Sequence, residues 1–138
     1  MEKQSLNSTT IEQALWEKLS EAAWKSQSNA RVLGTTKVGA AVVSEERRVF
    51  SGCNIEHKFR SHDIHAEVSA ISSLVSSGCK SLSAILVVAE REQFTPCGSC
   101  MDWIFELGGP ECVVGYQNQK GSHIKKFLAR DLMPHYPT

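Results

Sequence analysis

Apolar residues recur along this chain with two periods, and the alternation between them outlines the fold. Ile11, Leu15, Leu19, Ala22 and Ala23 return every three or four residues, and Thr9 with Glu12 has the spacing of a capping box. An amphipathic helix is predicted over about Thr10 to Gln27. Trp16 and Trp24, eight apart on that helix, have the spacing of core or subunit-interface side chains. Val38 to Val43 and Val49 to Asn54 are apolar and rich in β-branched residues around the polar turn Ser44 to Arg48, which predicts a hairpin. An irregular polar segment, Ile55 to Asp63, follows.

From Ile64 the period becomes helical, with Val68, Ile71, Leu74 and Val75 on one face and Gly78 as the stop. Ala84 to Ala89 is apolar at every position, as a strand covered on both faces requires. Pro96 suits the first turn of a third helix that carries Trp103, Ile104 and Leu107 inward and ends at Gly108 and Gly109. Val113 to Tyr116 reads as a short strand, and Ile124 to Leu132 as a last strand end or a helix before Pro134. This order predicts an α/β fold, a three-layer α/β/α sandwich on a mixed sheet of about five strands. One domain over residues 1–138 is expected, with the first eight or so residues loose. The active site is expected where helix N-termini meet strand ends.

Composition narrows the function classes. Fifteen basic and fifteen acidic side chains balance, which argues against a surface built to track nucleic-acid phosphates. No apolar run approaches the roughly 20 residues needed to span a bilayer, so a soluble protein without a membrane partner is expected. The first ten residues show no apolar stretch behind their charges, and five cysteines cannot all pair with one another. Reduced thiols in the cytoplasm are the expectation, available to a metal or to catalysis.

The chemistry concentrates in the strings HAE and TPCGSC, which hold His65, Glu67, Cys97 and Cys100. Cys97 and Cys100 lie three apart at the start of a predicted helix, where the helix dipole favours thiolates. A thioredoxin-like redox pair has the same spacing but gives His65 and Glu67 nothing to do. A closed structural zinc site would need a fourth ligand, for which His57, His62 or Cys53 are available. Three ligands with an open fourth position leave Glu67 as a carboxylate outside the coordination sphere, suited to moving protons. Residues two apart do not share a helix face, an objection that weakens with His65 in the first turn, where both side chains can reach a site beyond the helix end. The order H-x-E then P-C-x-x-C is the known signature of zinc nucleobase deaminases.

Beyond that motif the chain resembles the cytidine deaminase family over about Val38 to Leu132. KVGAAVV is similar to the family's first core strand, SGCNIE to the end of its second, and IHAEVSAISSLVSSG and FTPCGSC to its two zinc helices. The resemblance implies one Zn2+ per chain on His65, Cys97 and Cys100, with Glu67 as the catalytic acid and base. It also implies that Asn54 and Glu56 take ribose hydroxyls and that the backbone of Ala66 meets the pyrimidine edge. A small-molecule aminopyrimidine nucleoside is the implied partner, and a homo-oligomer, a tetramer ahead of a dimer, the implied assembly. Several positions depart from the pattern. His65 stands where small tetrameric members have cysteine, Val68 and Met101 where they have arginine, and Thr36 where an aromatic flanks the site. The ending PHYPT replaces a segment with a substrate-facing phenylalanine, for which Tyr136 is the available substitute.

The resulting expectation is zinc-dependent hydrolysis of cytidine, deoxycytidine or a close aminopyrimidine nucleoside to the uridine analogue and ammonia. Three alternatives stay open: a deaminase of a modified nucleoside or nucleoside antibiotic, as in blasticidin S deaminases, a nucleic-acid-editing deaminase, and a catalytically silent zinc module. Cys53, Cys79 and Cys112 lie in or beside apolar segments and read as buried, inert thiols. His62, His123 and His135, and the cluster of Lys120, Lys125, Lys126 and Arg130, read as solvated side chains.

Overall fold

The strand Val38–Ser44 (β1) is apolar and buried at every position but its last, Ser44, which is buried too and hydrogen-bonds the turn that follows. In the computed structural model, which describes residues 11–137, its odd and even side chains feed two different cores. Ala41 and Val43 face the helix Gln13–Gln27 (α1), with Trp16 and Trp24 buried beneath it. Ala40 and Val42 face the helices Ala66–Ser76 (α2) and Gly98–Gly108 (α3) on the other side. The same split runs through the strand Leu82–Ala89 (β3), whose Leu86 and Val88 join α1 while Ile85 and Val87 join α2 and α3. A central strand covered on both faces must be apolar throughout, which explains the unbroken run in the sequence.

Around these strands the sheet takes the order β2-β1-β3-β4-β5, with β2 at Val49–Cys53, β4 at Val113–Gln117 and β5 at Lys125–Leu128. β1 pairs antiparallel with β2 and β3, β3 parallel with β4, and β4 antiparallel with β5. The mixed five-stranded sheet and its three layers are as expected. The final segment resolves into both readings: β5 runs directly into a short helix, Ala129–Leu132 (α4). Thr9, Thr10 and the first eight residues lie outside the described residues, and α1 starts at Gln13 with Glu12 as its cap.

Two helix starts differ from the sequence expectation by two residues each. α2 begins at Ala66 rather than Ile64, and His65 is its N-cap with extended backbone, φ −80° and ψ 155°. α3 begins at Gly98, with Cys97 as its extended N-cap and Pro96 just before it. Ile64 is held back because its N–H and C=O pair with Ile55, which commits that backbone to a bridge. At its other end α2 closes as expected. Gly78, at φ +94°, allows Gly78 N–H to reach Val75 O and Cys79 N–H to reach Leu74 O, a Schellman ending that needs a left-handed residue.

Close approach between α2 and β2 depends on Gly52. A Cβ there would sit 2.3 Å from Ser69 Oγ and 2.7 Å from the backbone nitrogen of Ala70. The helix backbone cannot give way cheaply, so Gly52→Ala is expected to lower stability by about 1–3 kcal/mol, as overpacking does. The check is urea denaturation. An unchanged midpoint would show that α2 is not held at this distance by Gly52.

Candidate active site

His65 and Cys97 occupy equivalent places, each the residue immediately before a helix of the same layer. Neither side chain caps its own helix, so both are released towards the space between the two helix starts. Cys100, one turn into α3, points to the same place from a fully buried position. His65 Nδ1 lies 3.4 Å from Cys97 Sγ and 3.4 Å from Cys100 Sγ, and all three donor atoms lie within 4.8 Å of one another. No fourth histidine, cysteine or acidic donor among the described residues joins the group. His57 and His62, which a closed site would need, pack against each other with ring centroids 4.9 Å apart in the Glu56–Asp63 segment.

This donor set fits zinc. Tetrahedral bonds of about 2.3 Å to sulfur and about 2.0 Å to nitrogen place such donors roughly 3.6 Å apart, close to the observed spacing. Electrostatics point the same way. Without a cation, burial pushes the Cys100 thiol far above the ordinary cysteine range, and the nearby Glu67 and Cys97 push it further. Thiolate ligation here needs a positive charge, of which the two helix dipoles supply only a part.

Glu67 lies in the first turn of α2, 2% exposed, beside the Cys100 thiol. Burial raises its carboxyl above the usual range, opposed by its own backbone hydrogen bond and by His65. The two-residue spacing of His65 and Glu67 is no obstacle, because His65 is outside the helix and Glu67 inside it. Both line one cavity of about 270 Å³, as do Cys97, Ala66, Asn54 and Glu56. Ala66 is the first residue of α2, so its N–H has no partner within the helix.

Asn54 and Glu56, which leave β2 in succession, are both braced by backbone. Asn54 Oδ1 accepts from the Val38 N–H at 2.9 Å and its Nδ2 donates to Thr36 O at 3.0 Å. Glu56 Oε1 accepts from the N–H groups of Leu33 and Gly34 at 2.6 and 3.1 Å. These two donors, and more weakly Arg60, hold the Glu56 carboxyl below the usual carboxylate range.

Sequence reasoning missed Arg60, Asp63, Arg91, Phe94 and Thr95, which also line the cavity. The only available signal was position: Phe94 and Thr95 directly precede the PCGSC string, and Arg60 and Asp63 stand a helical turn apart in a segment read as irregular. Tyr136 is not among the lining residues. Its ring stacks on Phe105 at 4.0 Å and its hydroxyl donates to Asp102 at 2.7 Å, on the flank of α3. Cys79 and Cys112 are buried as expected, whereas Cys53 is half-buried.

Size alone would select a different place. A groove of about 830 Å³ runs between α1 and the β4–β5 turn, on the opposite face of the sheet. Its buried amide, Gln117, is held by three hydrogen bonds within the fold: Oε1 accepts from Trp24 Nε1 and Ser20 Oγ, and Nε2 donates to Ser122 O. The chemistry lies in the smaller cavity.

Comparison with known proteins agrees with that geometry. Residues 12–116 match the family model described as the cytidine and deoxycytidylate deaminase zinc-binding region. A cytidine deaminase from Sporosarcina psychrophila is 37% identical over 98 residues, covering 70% of this chain and 71% of the relative. A probable cytidine deaminase from Dictyostelium discoideum is 35% identical over 100 residues, covering 70% and 68%. Among solved structures, the cytidine deaminase from Burkholderia pseudomallei superposes with a TM-score of 0.79 at 34% identity, covering 86% of this chain and 95% of that one. The cytidine deaminase from Mycobacterium tuberculosis gives 0.74 at 28% identity, covering 87% and 94%. With this fold, this match and a His-Cys-Cys group at the start of two helices, the chain belongs to the cytidine and deoxycytidylate deaminase family.

Proposed function

We propose that this chain is a zinc-dependent hydrolytic deaminase that converts cytidine, deoxycytidine or a close aminopyrimidine nucleoside, with water, into the uridine analogue and ammonia. The observation that carries the reading is a buried carboxyl, Glu67, sharing one small cavity with His65 and Cys97 and lying beside Cys100, with no fourth zinc-type donor joining these three among the described residues. His65, Cys97 and Cys100 would hold the metal. When bound, Zn2+ supplies Lewis acidity, which makes a nucleophile of water near neutral pH.

The chain's own residues do the rest. Glu67 takes one proton from the attacking water and delivers it to N3 of the pyrimidine, then takes the second from the new C4 hydroxyl and delivers it to the amine, which leaves as ammonia. A carboxyl whose proton affinity is raised by burial is a stronger base than a solvated one and suited to relaying protons. The N–H of Ala66 meets the pyrimidine edge, and Asn54 and Glu56 take the sugar hydroxyls. Phe94 supplies an apolar wall, its ring 6.1 Å from that of Tyr116 and overlain by the Arg91 guanidinium.

We also propose a homo-oligomer, a tetramer ahead of a dimer. Leu33, Ile55, Phe59 and Ile64 are exposed large apolar side chains, all on the segments that frame the cavity mouth. Joined by hydrogen bonds between Ile55 and Ile64 and between Leu33 and Glu56, they form surface that a second copy would cover. With all five cysteines unpaired, a reducing cytoplasm is the compartment we assign. No helix among the described residues is long and apolar enough to cross a membrane.

The decisive measurement is ammonia release from a panel of aminopyrimidine bases, nucleosides, nucleotides and single-stranded DNA. Turnover of cytidine and deoxycytidine is expected, and release from DNA alone, or from none of the panel, would overturn the reading. Glu67→Gln is expected to keep fold and zinc while turnover falls by roughly two to four orders of magnitude. Cys100→Ala should lose the metal, and a full zinc equivalent in that variant refutes the ligand set. Light scattering is expected to give four copies per particle, and a monomer at working concentration contradicts the proposed assembly.

A further inference from the structure

The segment Glu56–Asp63 lines the cavity through Glu56, Arg60 and Asp63 and contains charged contacts that the reading above leaves without a task. Its base is pinned by Ile55 and Ile64, whose N–H and C=O groups pair in both directions at 2.8 and 2.9 Å. Arg60 opens the single 3-10 turn at its tip, Arg60–His62. From there its Nε donates to Asp63 Oδ2 at 2.8 Å, and its Nη2 lies 3.3 Å from Glu56 Oε2. Asp63 is itself fixed, because its other oxygen accepts from the His57 N–H at 2.8 Å.

The contacts run in one direction: loop backbone to Asp63, Asp63 to Arg60, Arg60 to Glu56. Glu56 is thereby gripped at both oxygens from different segments, Oε1 by Leu33 and Gly34 and Oε2 by Arg60. A carboxylate oxygen offers two lone pairs. Two donors occupy those of Oε1, whereas Arg60 engages Oε2 from one side and leaves it an accepting direction. The guanidinium is shared between two carboxylates and so is a poor receptor for an anionic substrate. As a source of stability the ion pair is minor, since the Arg60 side chain is 56% exposed. Its effect is on the orientation of Glu56.

We propose that Arg60, anchored by Asp63, is a positioning residue that holds Glu56 Oε2 ready to accept a hydroxyl of the substrate's sugar. The proposal rests on the reading of Glu56 as a sugar partner. It assigns to Arg60 a part in choosing substrates by their sugar hydroxyls and none in the deamination step.

The test uses the zinc-loaded full chain and two probes: cytidine, and 2′,3′-dideoxycytidine, which lacks the hydroxyls in question and is read as an inhibition constant against cytidine. For Arg60→Met, KM for cytidine is expected to rise about tenfold, the weight of one charge-assisted hydrogen bond, with kcat within about twofold. The inhibition constant of the dideoxy compound should stay the same. Asp63→Asn should shift KM the same way through loss of the anchor, and it serves as the second variant if Arg60→Met folds poorly. Arg60→Lys should recover only part, because its single nitrogen replaces the separate Nε and Nη2 with which the planar guanidinium reaches Asp63 and Glu56. In a Glu56→Gln background Arg60→Met should add nothing. Equal weakening of both probes, or no effect on either, would mean that Arg60 merely shapes the loop, and the proposal falls. Glu56→Gln alone separates the two levels: if it leaves the ratio of the two constants unchanged, Glu56 does not meet the sugar, and the underlying reading fails independently of Arg60.

Discussion

Two helices of one layer begin beside each other, and the chemistry of the chain depends on where they begin. A residue inside a helix turns its side chain by about 100° relative to its neighbour. An N-cap residue obeys a different rule, because its backbone is extended and its side chain leaves the helix end rather than its wall. His65 and Cys97 are both caps of this kind, and both forgo the usual capping hydrogen bond. Their side chains therefore meet each other and Cys100 instead of their own helices. With α2 starting at Ala66, His65 stays outside the helix and its Nδ1 lies 3.4 Å from both sulfurs. The bridge between Ile55 and Ile64 sets that start, and the bare Cα of Gly52 sets how closely α2 lies on the sheet.

Depth divides the carboxyls of the cavity into two kinds. Glu67 on the floor is buried, and its proton affinity is raised by loss of solvent. Glu56 and Asp63 at the mouth are held below the usual carboxylate range by backbone N–H groups and by Arg60. Environments that push titratable groups apart in this way suit different tasks. An inner carboxyl that holds its proton more tightly than a solvated one is fit to carry protons. Outer carboxylates that stay ionised are fit to accept hydrogen bonds from a neutral substrate. The same burial that raises Glu67 makes the Cys100 thiol hard to ionise, so the donor group is suited to a site that holds a cation.

The two faces of the sheet are used unequally. Among the described residues α1 is the helix that covers one face, and it buries Trp16, Leu19 and Trp24 in an apolar core. Its polar exception, Gln117, is held by hydrogen bonds within the fold, and the large groove above it follows from surface shape. α2 and α3 share the other face, and a gap between two helix starts is the feature that a single helix cannot provide.

Local sequence determined much of this. The apolar run of β3 and the alternation in β1 follow from burial on two faces, and the helical periods of α1, α2 and α3 follow from burial on one. The spacing of His65, Glu67, Cys97 and Cys100 was legible because metal ligation demands particular residue types, and those types stand in two short strings. What lay between the strings was not legible. Whether His65 stood in or before its helix turned on Ile64, whose bridge to Ile55 joins residues nine apart across a loop with no periodic pattern. Arg60 and Asp63 gave only the weak signal of standing a helical turn apart, since charged residues in a polar segment ordinarily face solvent. Tyr136 packs on Phe105 and not in the cavity of its own chain, because β5 and α4 carry this segment to the flank of α3. Period and residue type are properties of neighbouring positions, so the sequence alone determines the elements and the donors. Which ends of those elements meet, and which loop side chains they enclose, was decided by the tertiary structure, because it depends on pairings between segments that no local pattern encodes.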